Sequence, residues 1–188
     1  MVKLFQVDAA NIGLYFYNQD DETSERICAS CGRPRSLVGF PERHFRLRKE
    51  RADWGATYDG QMIITERVVT FLQAHASTPF TTIKVNRRPA MYALKLSEVL
   101  RFDAKTVGTR FEDFCTRCGE YATIVGASPP AVFTDEKIDP MGIYRSDLIF
   151  ACGREMHPII LVGEGLQKIL MEYFRELDFE VVRMSDPD

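Results

Sequence analysis

The sequence predicts an α+β fold: one mixed domain over residues 1–188, with two strand–helix–strand units and a pair of cysteine knuckles stitched into it. Three observations predict it. A chain of 188 residues suits one domain, and 45% hydrophobic residues with 13 Phe supply a core for it. The stretches MIITERVVTFLQAHASTPFTTIKV and HPIILVGEGLQKILMEYFRELDFEVV each read as strand, short break, amphipathic helix and strand. The words CASCG (Cys28–Gly32) and CTRCG (Cys115–Gly119) are one motif written twice.

Taken in order, Lys3–Val7 (KLFQV) is a strand, and Leu14–Tyr17 is a second apolar, aromatic run. An acidic turn, Gln19–Glu25, leads into the first cysteine word, and the Gly- and Pro-rich Gly32–Glu42 is the loop leaving it. Arg43–Arg51 alternates Phe45 and Leu47 with basic residues, the pattern of an edge strand with its charges outward. Gln61–Ile64 is a strand, Thr65 a helix N-cap and Glu66–Ala76 a helix, with Val68, Val69, Leu72 and Ala76 on one face. Pro79 ends the helix, and the β-branched Thr81–Val85 is the return strand. Met91–Leu96 is another strand, Val125–Gly142 a Pro-broken surface loop, and Asp147–Phe150 a strand again.

The last stretch repeats the plan of the earlier one. Ile64–Val68 lies over Val162–Leu166, and Phe80–Ile83 matches Phe179–Val182 after a slip of one residue. Leu166, Ile169, Leu170, Tyr173, Phe174 and Leu177 form an apolar stripe at helical spacing, which is the pattern of core packing.

No apolar run approaches the length needed to cross a bilayer. The N-terminal MVKLFQVDAANIG lacks the charged, apolar and small-residue order of a secretory signal, so a cytoplasmic protein is expected. A formal charge of −3 gives no global field for nucleic acid. Only the basic Arg43–Arg51 stretch offers phosphates a contact.

Five cysteines are an odd count, which argues against a complete disulfide framework. A C-x-x-C turn sets two sulfurs on one side of a tight knuckle, and the Gly that follows takes positive φ at little cost, so that backbone N–H groups aim at the thiolates. Two knuckles give four thiolates: Cys28, Cys31, Cys115 and Cys118, the donor set of a closed, zinc-ribbon-like structural zinc site. The same set suits iron in a rubredoxin-like centre. A redox dithiol is the other alternative, although neither pair opens a helix after a strand as thioredoxin-like motifs do. Cys152 and His157, in ACGREMH, read as structural, Cys152 as buried filler.

A four-thiolate site keeps no open coordination position for Lewis-acid chemistry. His44, His75 and His157 lie in unrelated contexts, none with the spacing of a metalloprotease or nucleophile motif. The GEG at Gly163–Gly165 is too short for a phosphate loop or a dinucleotide fingerprint. A protein without catalysis is expected.

The two C-x-x-C-G words, the Trp54-Gly55 stretch leading into MIITERVVTFL and the terminal strand–helix–strand together resemble the double-CXXCG family of bacterial immunity proteins, known best from myxobacteria. The resemblance spans Phe5 to Val182. It implies a non-enzymatic inhibitor that binds and neutralises a cognate polymorphic toxin domain, encoded next door, in the cytoplasm. It also implies Cys28, Cys31, Cys115 and Cys118 as ligands of a structural zinc, with Gly32 and Gly119 completing the knuckles. It assigns no residue to the partner interface. Carboxylates facing a basic cleft would suit such a contact, and Asp20, Asp21, Glu22, Asp135, Glu136 and Asp139 are the candidates. The alternative is a zinc-ribbon nucleic-acid-binding or transcription accessory protein that sets Arg43–Arg51 against phosphates.

Overall fold

Sheet dominates the computed structural model, which describes residues 2–14, 16, 28–33, 52–152 and 155–187. The N-terminal half holds β1 (Leu4–Asp8), β2 (Ala10–Asn11), β3 (Trp54–Ala56), β4 (Met62–Thr65), α1 (Glu66–His75), β5 (Phe80–Asn86) and β6 (Met91–Leu96). Then come β7 (Val99–Leu100), α2 (Ala104–Val107), β8 (Arg110–Cys115), β9 (Glu120–Val125) and β10 (Ala131–Phe133). The chain closes with β11 (Ile143–Cys152), β12 (Glu155–Gly163), α3 (Glu164–Tyr173), β13 (Asp178–Val181) and β14 (Arg183–Ser185). This is a mixed α+β fold. No helix among the described residues is long and apolar enough to cross a membrane.

One sheet runs β13-β1-β12-β11-β9-β8, with β7 beside β11; a second runs β2-β3-β4-β6-β5; β10 and β14 form a parallel pair. The N-terminal segment threads both large sheets, since β1 lies between β12 and β13 and β2 is an edge of the other. In the second sheet β6 lies antiparallel between β4 and β5, the two strands that flank α1 in sequence. In the first, β1 lies antiparallel between β12 and β13, which flank α3.

The central strands β4 and β12 are covered on both faces, which is why MII and PIILV read as unbroken apolar runs rather than as alternations. Met62 and Ile64 face the main core with Val68, Leu72, Leu166, Leu170 and Phe174, whereas Ile63 joins Ile12, Phe16 and Met91 on the opposite side. Ile160 and Val162 face the main core, while Ile159 and Leu161 meet Leu4, Phe102, Val132 and Phe150.

The helix starts are built in two ways. Thr65 accepts the Val68 N–H at the start of α1 and donates its own hydroxyl to Asp53 Oδ1 at 2.6 Å. Gly163 has no side chain to cap α3. The carbonyl of Pro140 accepts the N–H groups of Gly165 and Leu166 instead, at 2.9 and 3.0 Å. That approach is close: a Cβ on Gly163 would lie 2.4 Å from the Asp139 carbonyl oxygen. Gly163→Ala is therefore expected to destabilise by about 1–3 kcal/mol, read as a lower urea midpoint at unchanged slope.

Asp103 caps the short α2, accepting the Thr106 N–H at 3.0 Å while 4% exposed. Burial pushes its carboxyl up, but hydrogen bonds from Ser185 and Thr106 outweigh it and hold the group below the usual aspartate value. The stabilisation is thus present above the unfolded pKa and is lost as pH falls through the depressed folded one. Asp103→Asn, which keeps the cap but loses the charge that strengthens the bonds from Ser185 and Thr106, is expected to cost about 1 kcal/mol at neutral pH. In an acid series of urea unfolding curves, the gap from wild type should close below about pH 4.

Several elements differ from the sequence reading. Val125–Gly142 is not wholly a surface loop: Ala131 and Val132 are fully buried in β10, a strand too short to show a period. The strand expected over Asp147–Phe150 runs from Ile143 to Cys152, with a register shift between Arg145 and Ile149 that interrupts its pattern. Leu14 and Phe16 lie outside any strand; Tyr15 and Tyr17 are outside the described residues. So are the acidic Gln19–Glu25, the basic Arg43–Arg51 with His44, and all but the start of the Gly32–Glu42 loop. Tyr173, assigned to the core stripe, is 53% exposed, because α3 ends there and its ring lies on Phe71.

Candidate metal centre

The second knuckle is the turn of a β-hairpin. Cys115 ends β8 opposite Glu120, which starts β9, and Thr116–Gly119 joins them. The Gly119 N–H returns to the Cys115 carbonyl at 2.9 Å, with Gly119 at φ 75°. The first knuckle repeats this geometry outside any strand: the Gly32 N–H meets the Cys28 carbonyl at 2.8 Å, with Gly32 at φ 73°. Positive φ is what makes the fifth letter of each word a glycine. A further bond from the Cys28 N–H to the Arg33 carbonyl, 2.9 Å, ties off the first turn.

The two turns face each other. Cys28 Sγ lies 3.9 Å from Cys115 Sγ and Cys31 Sγ lies 3.8 Å from Cys118 Sγ, first cysteine against first and second against second. All four sulfurs lie within 4.8 Å of one another. Disulfide sulfurs would be about 2.05 Å apart, so these are four free thiols. Four sulfurs held about 2.3 Å from one ion at tetrahedral angles are about 3.8 Å from each other, so the spacing fits a single ion bound as zinc is by four thiolates. Cys28 and Cys115 are buried, while Cys31 and Cys118 keep a partly open side.

The thiols are not equivalent. The backbone N–H groups of Cys118 and Arg117 pull Cys115 down to about 6, and those of Cys31 and Ser30 pull Cys28 below the ordinary thiol value. Burial pushes Cys31 up to about 12 and also raises Cys118. Each knuckle therefore pairs a cysteine whose proton is lost more easily than usual with one that holds its proton more tightly.

Cys152 does not join the cluster. It ends β11 with its side chain exposed, which corrects the reading of it as buried filler: a strand end at a sheet margin leaves it in solvent. His157 sits on β12 as an exposed residue, apart from the four sulfurs. Of the carboxylates proposed for a partner, Asp135 and Glu136 are both taken by Arg101, at 2.5 and 2.6 Å, and Asp139 caps the Met141 N–H at 2.8 Å. Asp20, Asp21 and Glu22 lie outside the described residues. The GEG glycines serve the close contact of α3 with Pro140.

Sequence reasoning missed two features of the site. Arg33, directly after the first knuckle, is 5% exposed and donates through Nη1 to the Tyr121 carbonyl beyond the second. Phe111, Phe114 and Tyr121 form an exposed aromatic strip on the knuckle hairpin, with ring centroids 5.4 and 5.1 Å from Tyr121. The strip was hidden because RFEDFC mixes its aromatics with charges. Arg33 carried a weak signal, its place beside the cysteine word.

No protein-family model matches the chain, and no curated protein matches it.

Proposed function

We propose that this chain is an immunity protein, a non-enzymatic inhibitor that binds and neutralises a cognate bacterial toxin domain in the cytoplasm, with a structural zinc in its four-thiolate site. The observation that carries the reading is the meeting of the two C-x-x-C-G words in one cluster, first cysteine on first and second on second. Four thiolates fill a tetrahedral shell and leave no position for substrate, so the metal acts as a clamp and the protein acts by binding. Zinc is the metal proposed because it is redox-inert and most often fills such closed structural four-thiolate sites, although the same four sulfurs also hold iron.

The clamp also supports a contact face. It anchors the β8–β9 hairpin, on which Phe111, Phe114 and Tyr121 are 40%, 55% and 37% exposed. Clustered aromatics held rigid are the usual anchors of a protein interface. We read the two strand–helix–strand stretches as copies of one unit, supported by the antiparallel strand that each pair encloses.

Calorimetric titration with the inactivated toxin domain encoded by the neighbouring gene tests the reading. A 1:1 complex tighter than about 10 nM, about 11 kcal/mol, is expected. No heat of binding from folded, metal-loaded protein would sink it. The aromatic strip gives some weight to the second reading, a zinc-ribbon protein on which nucleic-acid bases stack. That reading demands binding to single strands that weakens steeply with salt. Glu112, Asp113 and Glu120 on the same hairpin weigh against it.

A further inference from the structure

Arg33 is a buried cation whose carboxylate partner among the described residues is a long, solvent-exposed one. Its side chain is 6% exposed, and its nearest acid, Glu120 Oε2, is 3.9 Å away on a side chain that is 60% exposed. A pair so open to solvent compensates a buried charge poorly. Its other contact is neutral, the Tyr121 carbonyl. The carbonyl of Arg33 meanwhile holds the Cys28 N–H. The residue thus spans the site, with its backbone fixed to the first knuckle and its guanidinium to the strand leaving the second.

Four thiolates around a divalent cation leave two excess negative charges, and a largely buried site of that kind calls for a nearby positive group. We infer that Arg33 is the positioning residue of the metal centre: its guanidinium is the counter-charge of the metal–thiolate unit and the strap that holds the knuckles at ligand spacing. Each charge then resolves the other. The buried guanidinium gains a counter-ion when metal binds, and the thiolates gain a cation that solvent does not screen. The inference rests on the four-thiolate reading and is independent of any partner.

Three proteins test it: wild type, Arg33→Gln, which keeps a donor but loses the charge, and Arg33→Lys, which keeps the charge. Zinc affinity is read by competition with a chromophoric chelator, and the cobalt(II) form reports the ligand geometry. Arg33→Gln is expected to bind zinc about 10–100-fold more weakly, as losses of supporting groups around metal ligands do, with its cobalt bands displaced. Arg33→Lys is expected to recover most of that loss. If Arg33→Gln is unfolded without metal, the zinc concentration at which it folds reads the same affinity. Arg33→Gln binding within twofold of wild type with an unchanged cobalt spectrum would overturn the inference, as would Arg33→Lys failing as badly as Arg33→Gln. A wild type that takes up neither zinc nor cobalt would instead overturn the four-thiolate site itself.

Discussion

Cys118→Ser is expected to strip the chain of its metal and of much of its stability together. Its sulfur lies 3.8 Å from that of Cys31 and closes the shell begun by the two buried cysteines. Structural zinc binds small peptides with apparent free energies of roughly 10–16 kcal/mol, whereas a domain's whole stability is about 5–15 kcal/mol. Losing one of four ligands therefore removes an interaction as large as the net stability. The knuckles join the segment around Cys28 to the β8–β9 hairpin, so the loss should unpin that margin of the sheet first. Metal analysis and a thermal melt on one preparation check this: below about 0.1 metal per chain and a melting temperature lower by at least about 10 °C, several kcal/mol at the usual scaling. Cys152→Ser is the control. Exposed and outside the cluster, it should change stability by no more than about 0.5 kcal/mol. Equal metal content in Cys118→Ser and wild type would show that Cys118 is not a ligand.

Phe174→Ala is expected to cost about 3–5 kcal/mol, the range for removing a large buried aromatic. The ring is 1% exposed where α1 and α3 meet. It packs edge-on to Phe71 at 5.2 Å, and the Arg67 guanidinium lies 4.7 Å above it. Arg67 in turn donates to the Tyr173 carbonyl at 2.6 Å and to Asp53 at 2.9 Å, so one side chain is the common floor of several contacts. Tyr173→Ala, at an exposed ring beside it, should cost far less. Urea unfolding of the metal-loaded proteins separates the two, and equal losses would show that the joint does not depend on Phe174.

Local signals in the sequence were legible, and pairings between distant segments were not. Thr65 marked the start of α1 because an N-cap is a local device, and Val68, Val69 and Leu72 marked its buried face through spacing alone. The four cysteines could be joined across the chain because their donor chemistry requires it. Nothing local says that β1 inserts between β12 and β13, since Leu4–Asp8 would read the same at an edge. Val132 is buried by β14 and Phe102, partners remote in sequence, so its three-residue strand looked like loop. At the site, the knuckle words revealed the four cysteines that cluster, whereas Arg33 emerged only when the fold brought it to Tyr121.

The most direct test of the central claim, that both cysteine words close one metal site, is X-ray absorption of the purified wild-type chain with its metal quantified. One zinc per chain, surrounded by four sulfurs at about 2.3 Å, is the expected result. A folded chain without metal, or a shell containing nitrogen or oxygen ligands in place of any of the four sulfurs, would contradict it.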